Sequence, residues 1–181
     1  MKNKGIRFIT LTAVFLALLI VFQSLSASLG QLVTGSLVNF VLVAACLIAG
    51  WKSAAVVAIL SPFFAKLFGI GPIYPILPVV ALGNLSLVAV YALVAKIKIN
   101  GNLQFAISVP AAAIVKYLVL STGVVKVVLP LINLAEKAAA KMTVMFGTTQ
   151  LITALIGGAI AALTIPLIKR GIEKSKTGAD A

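Results

Sequence analysis

Long apolar runs alternate along the chain with short segments that are rich in charged or turn-forming residues. No charged residue occurs between Phe8 and Gly50, and none occurs between Met142 and Ile168. A membrane-spanning helix needs about 20 predominantly apolar residues, because the hydrocarbon core of a bilayer is about 30 Å thick. The pattern therefore predicts six spans, at about 8–28, 36–50, 53–68, 75–95, 103–121 and 146–168.

The segment between the last two predicted spans has a different character. It covers residues 122–145, contains Pro130, and is too polar at Glu136 and Lys137 to cross a membrane. We expect it to form an outer loop with a short helical piece, lying at the surface or folded over a cavity. The whole chain, 1–181, is predicted to form a single all-α integral membrane domain with a cytoplasmic tail at 169–181.

Composition supports a membrane protein and indicates its orientation. Hydrophobic residues make up 62% of the chain, and 15 Lys and Arg against three acids give a net charge of +12. Cytoplasmic loops of membrane proteins carry an excess of Lys and Arg. Ten of the 15 cations fall on one side if both termini are cytoplasmic, so the sequence predicts an N-in/C-in topology. The other five are Lys66, Lys116, Lys126, Lys137 and Lys141.

The placement of the cations also bears on partners. They punctuate hydrophobic helices instead of clustering on a solvated face among nucleic-acid-binding motifs. We therefore expect membrane lipid around the chain and no nucleic acid as a partner.

The missing residue types exclude most catalytic chemistry. The chain has no His, and its three acids, Glu136, Glu173 and Asp180, lie outside the predicted spans. No set of zinc ligands, carboxylate pair or Ser-His-Asp triad can be assembled from these residues. A phosphate-binding loop that ends in Lys-Ser/Thr is also absent. We predict neither an enzyme nor a bound metal or cofactor.

Lys116 is the most informative polar residue, because it lies within the fifth predicted span with no intramembrane carboxylate to pair with. Two interpretations stay open: the side chain reaches the outer headgroups, or the ammonium faces a polar cavity and awaits an anionic ligand. Lys126 raises the same question closer to the predicted outer end of that helix.

Uncharged polar side chains occur at similar predicted depths. Asn39, Asn84 and Gln150 lie in the second, fourth and sixth spans. Such side chains either hydrogen-bond a neighbouring helix or face a cavity. Tyr74 suits the interfacial aromatic belt or a wall against which a ring could stack. Together with Lys116 and Lys126, these residues are the candidates for a substrate site.

Small residues also recur four positions apart in the first span, at Ala13 and Ala17. This spacing permits close contact between helices, either within the chain or with a separate membrane subunit.

Four segments, taken in order, carry a resemblance to a known family. They read LTAVFLA at Leu11–Ala17, TGSLVN at Thr34–Asn39, PVVALGN at Pro78–Asn84 and FGTTQ at Phe146–Gln150. With six short spans in a chain of this length, the region 7–170 resembles the substrate-binding S components of energy-coupling factor (ECF) vitamin transporters.

The resemblance implies a multi-pass protein of a bacterial-type plasma membrane that captures a vitamin or related micronutrient from outside. It implies a pocket toward the outer face, docking on a transmembrane T component through the helix that carries Ala13 and Ala17, and release driven by two cytoplasmic ATPases. The outer cations favour an anionic substrate. A self-contained oligomeric channel or facilitator, and a non-transporting assembly subunit of a membrane complex, are the alternative functions.

Overall fold

The computed structural model describes residues 2–97 and 99–179, and this part of the chain is helical throughout apart from short connections. Because lipid offers no hydrogen-bonding partners, a spanning backbone must satisfy its polar groups within helices. The polytopic all-α fold predicted from the sequence is confirmed. Its helices are α1 (Lys2–Ser26), α2 (Gln31–Ile48), α3 (Trp51–Leu67), α4 (Leu77–Val94), α5 (Gly101–Leu120), α6 (Leu129–Leu131), α7 (Glu136–Phe146) and α8 (Thr148–Ala179).

Within the described residues, five helical stretches are long and apolar enough to cross a membrane. They contain α1, α2, α4, α5 and α8. The sixth candidate, α3, has 17 residues, which corresponds to about 25 Å at the helical rise and to the lower limit of spanning length. It packs against α1, α2 and α4 as part of the same bundle.

The segment predicted as an outer loop, 122–145, is mostly helical. The fifth helix does not end near 121 but continues as a π-helix over Ser121–Val128 and then as α6. The valines that follow Gly123 extend the apolar face, and Val124 is fully buried. The helix α7 occupies the rest of the segment up to Phe146. Similarly, α8 runs on to Ala179, into the predicted tail.

The bundle is built around α2, which packs against α8, α1 and α3. Its buried run extends from Val41 to Cys46. The Cys46 sulfur lies 3.9 Å from the carbonyl oxygen of Val88, where α2 meets α4. By contrast α1 is peripheral, since only 11% of its spanning window is buried.

Close approach of α2 and α8 depends on Gly157. A Cβ at this position would lie 2.5 Å from the carbonyl oxygen of Ser36 and 2.7 Å from the Cβ of Asn39. Only a residue without a side chain therefore lets the two backbones touch here. This contact brings the polar side chains of α2 and α8 to the same depth in the bundle.

The two ends of the bundle are different. At one end, here called the terminal end, the connection from α2 to α3 is a two-residue turn at 49–50, with Gly50 at φ 96°. The other end, the loop end, carries the connections 27–30 and 68–76 and the helix α7. A separate apolar cluster joins α7 to the end of α5 there. Its buried members are Ile76, Leu120, Val124, Leu129 and Phe146.

Candidate functional site

A cavity of about 460 Å³ occupies the loop end of the bundle, between α1, α2, α3, α4, α5, α7 and the start of α8. Its walls are apolar over much of their area, and its polar side chains come from seven different helices. The polar lining consists of Gln23, Gln31, Thr34, Ser61, Asn84, Lys116, Lys141 and Gln150.

Lys116 supplies the inner polar surface of the cavity. It is only 3% exposed. Its ammonium nitrogen donates to Asn39 Oδ1 at 2.6 Å and to Asn84 Oδ1 at 2.7 Å. Since these three residues belong to α5, α2 and α4, one side chain joins three helices. The ammonium thus points into the bundle and not toward the headgroups.

A chain of hydrogen bonds fixes the orientation of the Asn84 amide. Its Nδ2 donates to Ser61 Oγ at 3.4 Å, and Ser61 in turn donates to the carbonyl oxygen of Ala58 at 3.4 Å. That carbonyl lacks its usual helical partner, because Pro62 has no N–H to donate. The proline inside α3 therefore contributes to the position of Asn84 through Ser61.

An equivalent chain fixes Asn39. Its Nδ2 donates to Thr153 Oγ1 at 3.3 Å, and the Thr153 hydroxyl donates to the carbonyl oxygen of Gln150 at 3.2 Å. Asn39 and Thr153 are both fully buried. Each amide nitrogen is thus occupied on the far side, so both amides present their carbonyl oxygens to Lys116.

This arrangement holds the ammonium but does not neutralise it. Amide oxygens carry only partial charge, and among the described residues that line the cavity none is acidic. An ammonium has three N–H donors, and the two asparagines accept from two of them. Burial of a charge without a counter-charge is costly. The cavity surface is therefore complementary to a negatively charged oxygen.

The helix α7 forms the wall of the cavity nearest the loop end. Lys141, Met142, Met145 and Phe146 all line the cavity. Residues four apart on a helix share a face, so these two adjacent pairs form one continuous stripe. Methionine side chains are flexible and polarisable and can adapt to irregular ligands. The wall thus combines an adaptable apolar surface with one cation.

The comparison with known families gives a match over nearly the whole chain. Residues 7–169 match the family described as "ECF transporter, substrate-specific component". The chain belongs to this family. The resemblance seen in the sequence is thereby confirmed, whereas searches of curated proteins and of solved structures give no match.

Membership of the family settles the general role. The protein is the substrate-specific component of an ECF transporter, a multi-pass protein of the cell membrane and not an enzyme. Its family implies that it binds a small substrate and acts together with a T component and ATPases. The cavity described above is the candidate site for that substrate.

Three of the predicted site residues line the cavity: Lys116, Asn84 and Gln150. Asn39 lies directly behind this surface and contacts Lys116. The Gln150 amide nitrogen donates to the carbonyl oxygen of Met145 at 2.9 Å, which connects the start of α8 to α7. The structure thus brings four of the six candidates to one cavity or to the layer directly behind it.

Tyr74 and Lys126 lie elsewhere. Tyr74 is 68% exposed, and its ring faces Lys66, whose ammonium nitrogen is 5.2 Å from the ring centroid. Lys126 is exposed on the π-helix. Neither residue lines the cavity. Contact of either one with substrate stays a prediction.

Other lining residues were not singled out from the sequence. Gln23 places a buried side-chain oxygen at the cavity, and no hydrogen-bond partner for it exists among the described residues. Ser61 orients Asn84, and Lys141 supplies the second cation. The stripe of Lys141, Met142 and the two residues one turn later is a helical pattern that could have indicated a lining face.

Ala13 and Ala17 lie on the outside of the bundle. Both are exposed, as are Thr10 and Ser24 on the same side of α1. Successive members of the set Thr10, Ala13, Ala17 and Ser24 are three, four and seven positions apart. They therefore form a stripe of small side chains along the helix. Both alanines are exposed in the described part of the chain and are thus available to a neighbouring membrane helix.

Proposed function

We propose that the cavity captures a small organic anion of the vitamin or micronutrient class, with Lys116 as its main charged contact. The observation that carries this proposal is the ammonium of Lys116, which lines the cavity while held by two neutral amide oxygens. A carboxylate or phosphate that accepts its remaining N–H would supply the missing negative charge and a charge-assisted hydrogen bond.

The dimensions of the cavity fit a ligand of that class. Its volume of about 460 Å³ lies in the range of about 300–1,000 Å³ that is typical of small-molecule sites. Apolar residues such as Val38, Val80 and Phe146 can bury the body of the ligand, and Gln31 and Thr34 offer polar contacts. The combination suits a molecule with an acidic group and a partly apolar frame.

The charge distribution supports an outward-facing cavity. Lys52, Lys96 and Lys169 belong to the terminal end of the bundle, and that end is cytoplasmic if the positive-inside rule holds. The loop end, with its cavity, then faces the outside. In this orientation the substrate enters from the medium, as capture for import requires.

Transport in this proposal depends on separate subunits. The exposed stripe of α1 that contains Ala13 and Ala17 docks on the T component, since small residues allow close helix contact in lipid. Two cytoplasmic ATPases supply the energy for release, because this sequence has no nucleotide-binding loop of its own.

The proposal is tested by identifying the cargo. Gentle purification of the full chain and mass spectrometry of co-purified small molecules should reveal an organic anion, which is then titrated back by calorimetry. Lys116→Met should weaken its binding at least tenfold, because a hydrogen bond to a charged group contributes about 1.5–3 kcal/mol. The matched control is Lys126→Met, which removes an exposed lysine outside the lining.

Thermal unfolding of both variants without ligand shows whether each is folded, so that a lost fold is not mistaken for a lost contact. A neutral or cationic cargo, or unchanged affinity in a folded Lys116→Met protein, would overturn the proposed role of Lys116.

A further inference from the structure

We infer that the captured substrate carries two anionic groups, one bound by Lys116 and the other by Lys141 of α7. This inference rests on the proposed capture of an anion and names its class more closely. Both lysines line the same cavity, but they occupy different walls and different environments.

The first anionic group of the substrate binds at the inner wall of the cavity. Lys116 is fixed there by α2 and α4, and it is almost completely buried. One carboxylate or phosphate oxygen bound to it balances a single positive charge. The cavity then still contains Lys141, so a singly charged ligand leaves its lining with a net positive charge.

The second anionic group of the substrate binds at the wall formed by α7. Lys141 lies on the lining stripe of α7, whereas the one acid of that helix, Glu136, is not part of the lining. The neighbouring wall is apolar at Met142, Met145 and Phe146. A ligand with an apolar body and two acidic groups matches a lining that combines an apolar wall with two cations.

The other charged residues at the loop end also favour a doubly charged ligand. Lys66, Lys126 and Lys137 also belong to the loop end, and among the described residues Glu136 is the only acid there. Concentrated charge of one sign around a cleft raises the local concentration of oppositely charged ligands. Because this attraction grows with ligand charge, a dianion is favoured over a monoanion of the same size.

The α7 helix offers a matched pair of positions for a test. Lys137 and Lys141 are both exposed and lie one turn apart, but only Lys141 lines the cavity. Lys141→Gln and Lys137→Gln therefore remove the same charge from the same helix. If ligand affinity falls more in Lys141→Gln than in Lys137→Gln, Lys141 acts within the cavity. If it falls equally in both, only the general positive charge of the loop end matters.

The probes are anion-exchange fractions of a nutrient extract such as yeast extract. They are separated into uncharged and cationic, singly anionic and multiply anionic pools, and each is added to the purified full chain. We expect the multiply anionic pool to raise the melting temperature. The component that is then isolated from it should bind about fivefold more weakly to Lys141→Gln, and Lys137→Gln should weaken its binding by less than about twofold. Lys141→Arg should retain the affinity.

The other outcomes separate the two proposals. Stabilisation by the singly anionic pool, or equal affinities for the two glutamine variants, would overturn the inference that the substrate has a second anionic group. The proposed capture of an anion would still stand. Stabilisation only by the uncharged or cationic pool, or by none, overturns both. Inorganic phosphate and sulfate are added alone, and stabilisation by these salts to the same extent also overturns the inference.

Discussion

Two asparagines hold Lys116 in place, at positions where aspartates would have neutralised its charge. Asparagine and aspartate have nearly the same shape, and a carboxylate at position 39 or 84 would form an ion pair with the ammonium. The sequence instead has amides at both positions, each fixed by a further hydrogen bond. The residue thus has a defined position and no carboxylate partner among the described residues, which suits recognition of an anion.

Asn84→Asp should therefore weaken anion binding while the fold is kept. The new carboxylate would accept the Lys116 hydrogen bond and supply the counter-charge that the ligand otherwise brings. We expect at least a tenfold loss of affinity by calorimetry, with a melting temperature no lower than that of the parent. Asn102→Asp, an exposed change of the same kind at the start of α5, is the control. Full affinity in Asn84→Asp would contradict this view of the site.

At the scale of single elements, two of the glycines of α8, Gly157 and Gly171, lie in contrasting environments. A Cβ at Gly157 would collide with Ser36 and Asn39 of α2, whereas a Cβ at Gly171 would have no described neighbour within 4 Å. Gly157→Ala should separate α2 from α8 and lower stability by about 1–3 kcal/mol, as overpacking does. Gly171→Ala should be neutral or slightly stabilising, because alanine favours helices.

Thermal unfolding in detergent, followed by circular dichroism, measures both effects. The Gly157 variant should also bind ligand more weakly, since Asn39 moves with α2. Equal melting temperatures for the two alanine variants would show that α2 and α8 can shift apart without cost.

The outer stripe of α1 leads to a prediction about assembly. Ala13→Leu combined with Ala17→Leu should reduce co-purification with the T component and its ATPases, because larger side chains keep the helices apart. Ligand binding by the isolated chain should be unchanged, since both alanines are exposed and neither is among the described residues that line the cavity. Leu163→Trp, at an exposed position of α8, is the control for bulk on the lipid-facing surface. Normal assembly of the double variant would exclude this face as the docking surface.

The sequence predicts elements better than it predicts which side chains meet. The spans follow from apolar runs alone, because each must cross the same thickness of hydrocarbon. Asn39, Lys116 and Asn84 could be picked out as polar residues in apolar helices, but their mutual contacts depend on how α2, α4 and α5 rotate. Nor could the sequence separate Lys126 from Lys141. Lys141 lines the cavity and Lys126 does not, and no simple periodicity indicates that α5 continues as the π-helix that carries Lys126.

For the whole molecule, the distribution of cations predicts that the loop end faces the outside. In a Cys46→Ala background, Lys137→Cys should react in intact cells with a maleimide that cannot cross membranes. Lys52→Cys, at the opposite end of the bundle, should react only after the cells are opened. The reverse pattern of labelling would invert the topology and would place the cavity on the cytoplasmic side.

The position of Cys46 gives the native chain a reporter of its own motion. It is the one cysteine among 181 residues, and it is buried where α2 contacts α4. An alkylating reagent can reach the thiol only when these helices separate, so the rate of modification measures the frequency of that opening. Asn39 and Asn84 lie on the same two helices, and both bind Lys116. The same rate, compared with and without substrate, would show how strongly an occupied site holds the bundle closed.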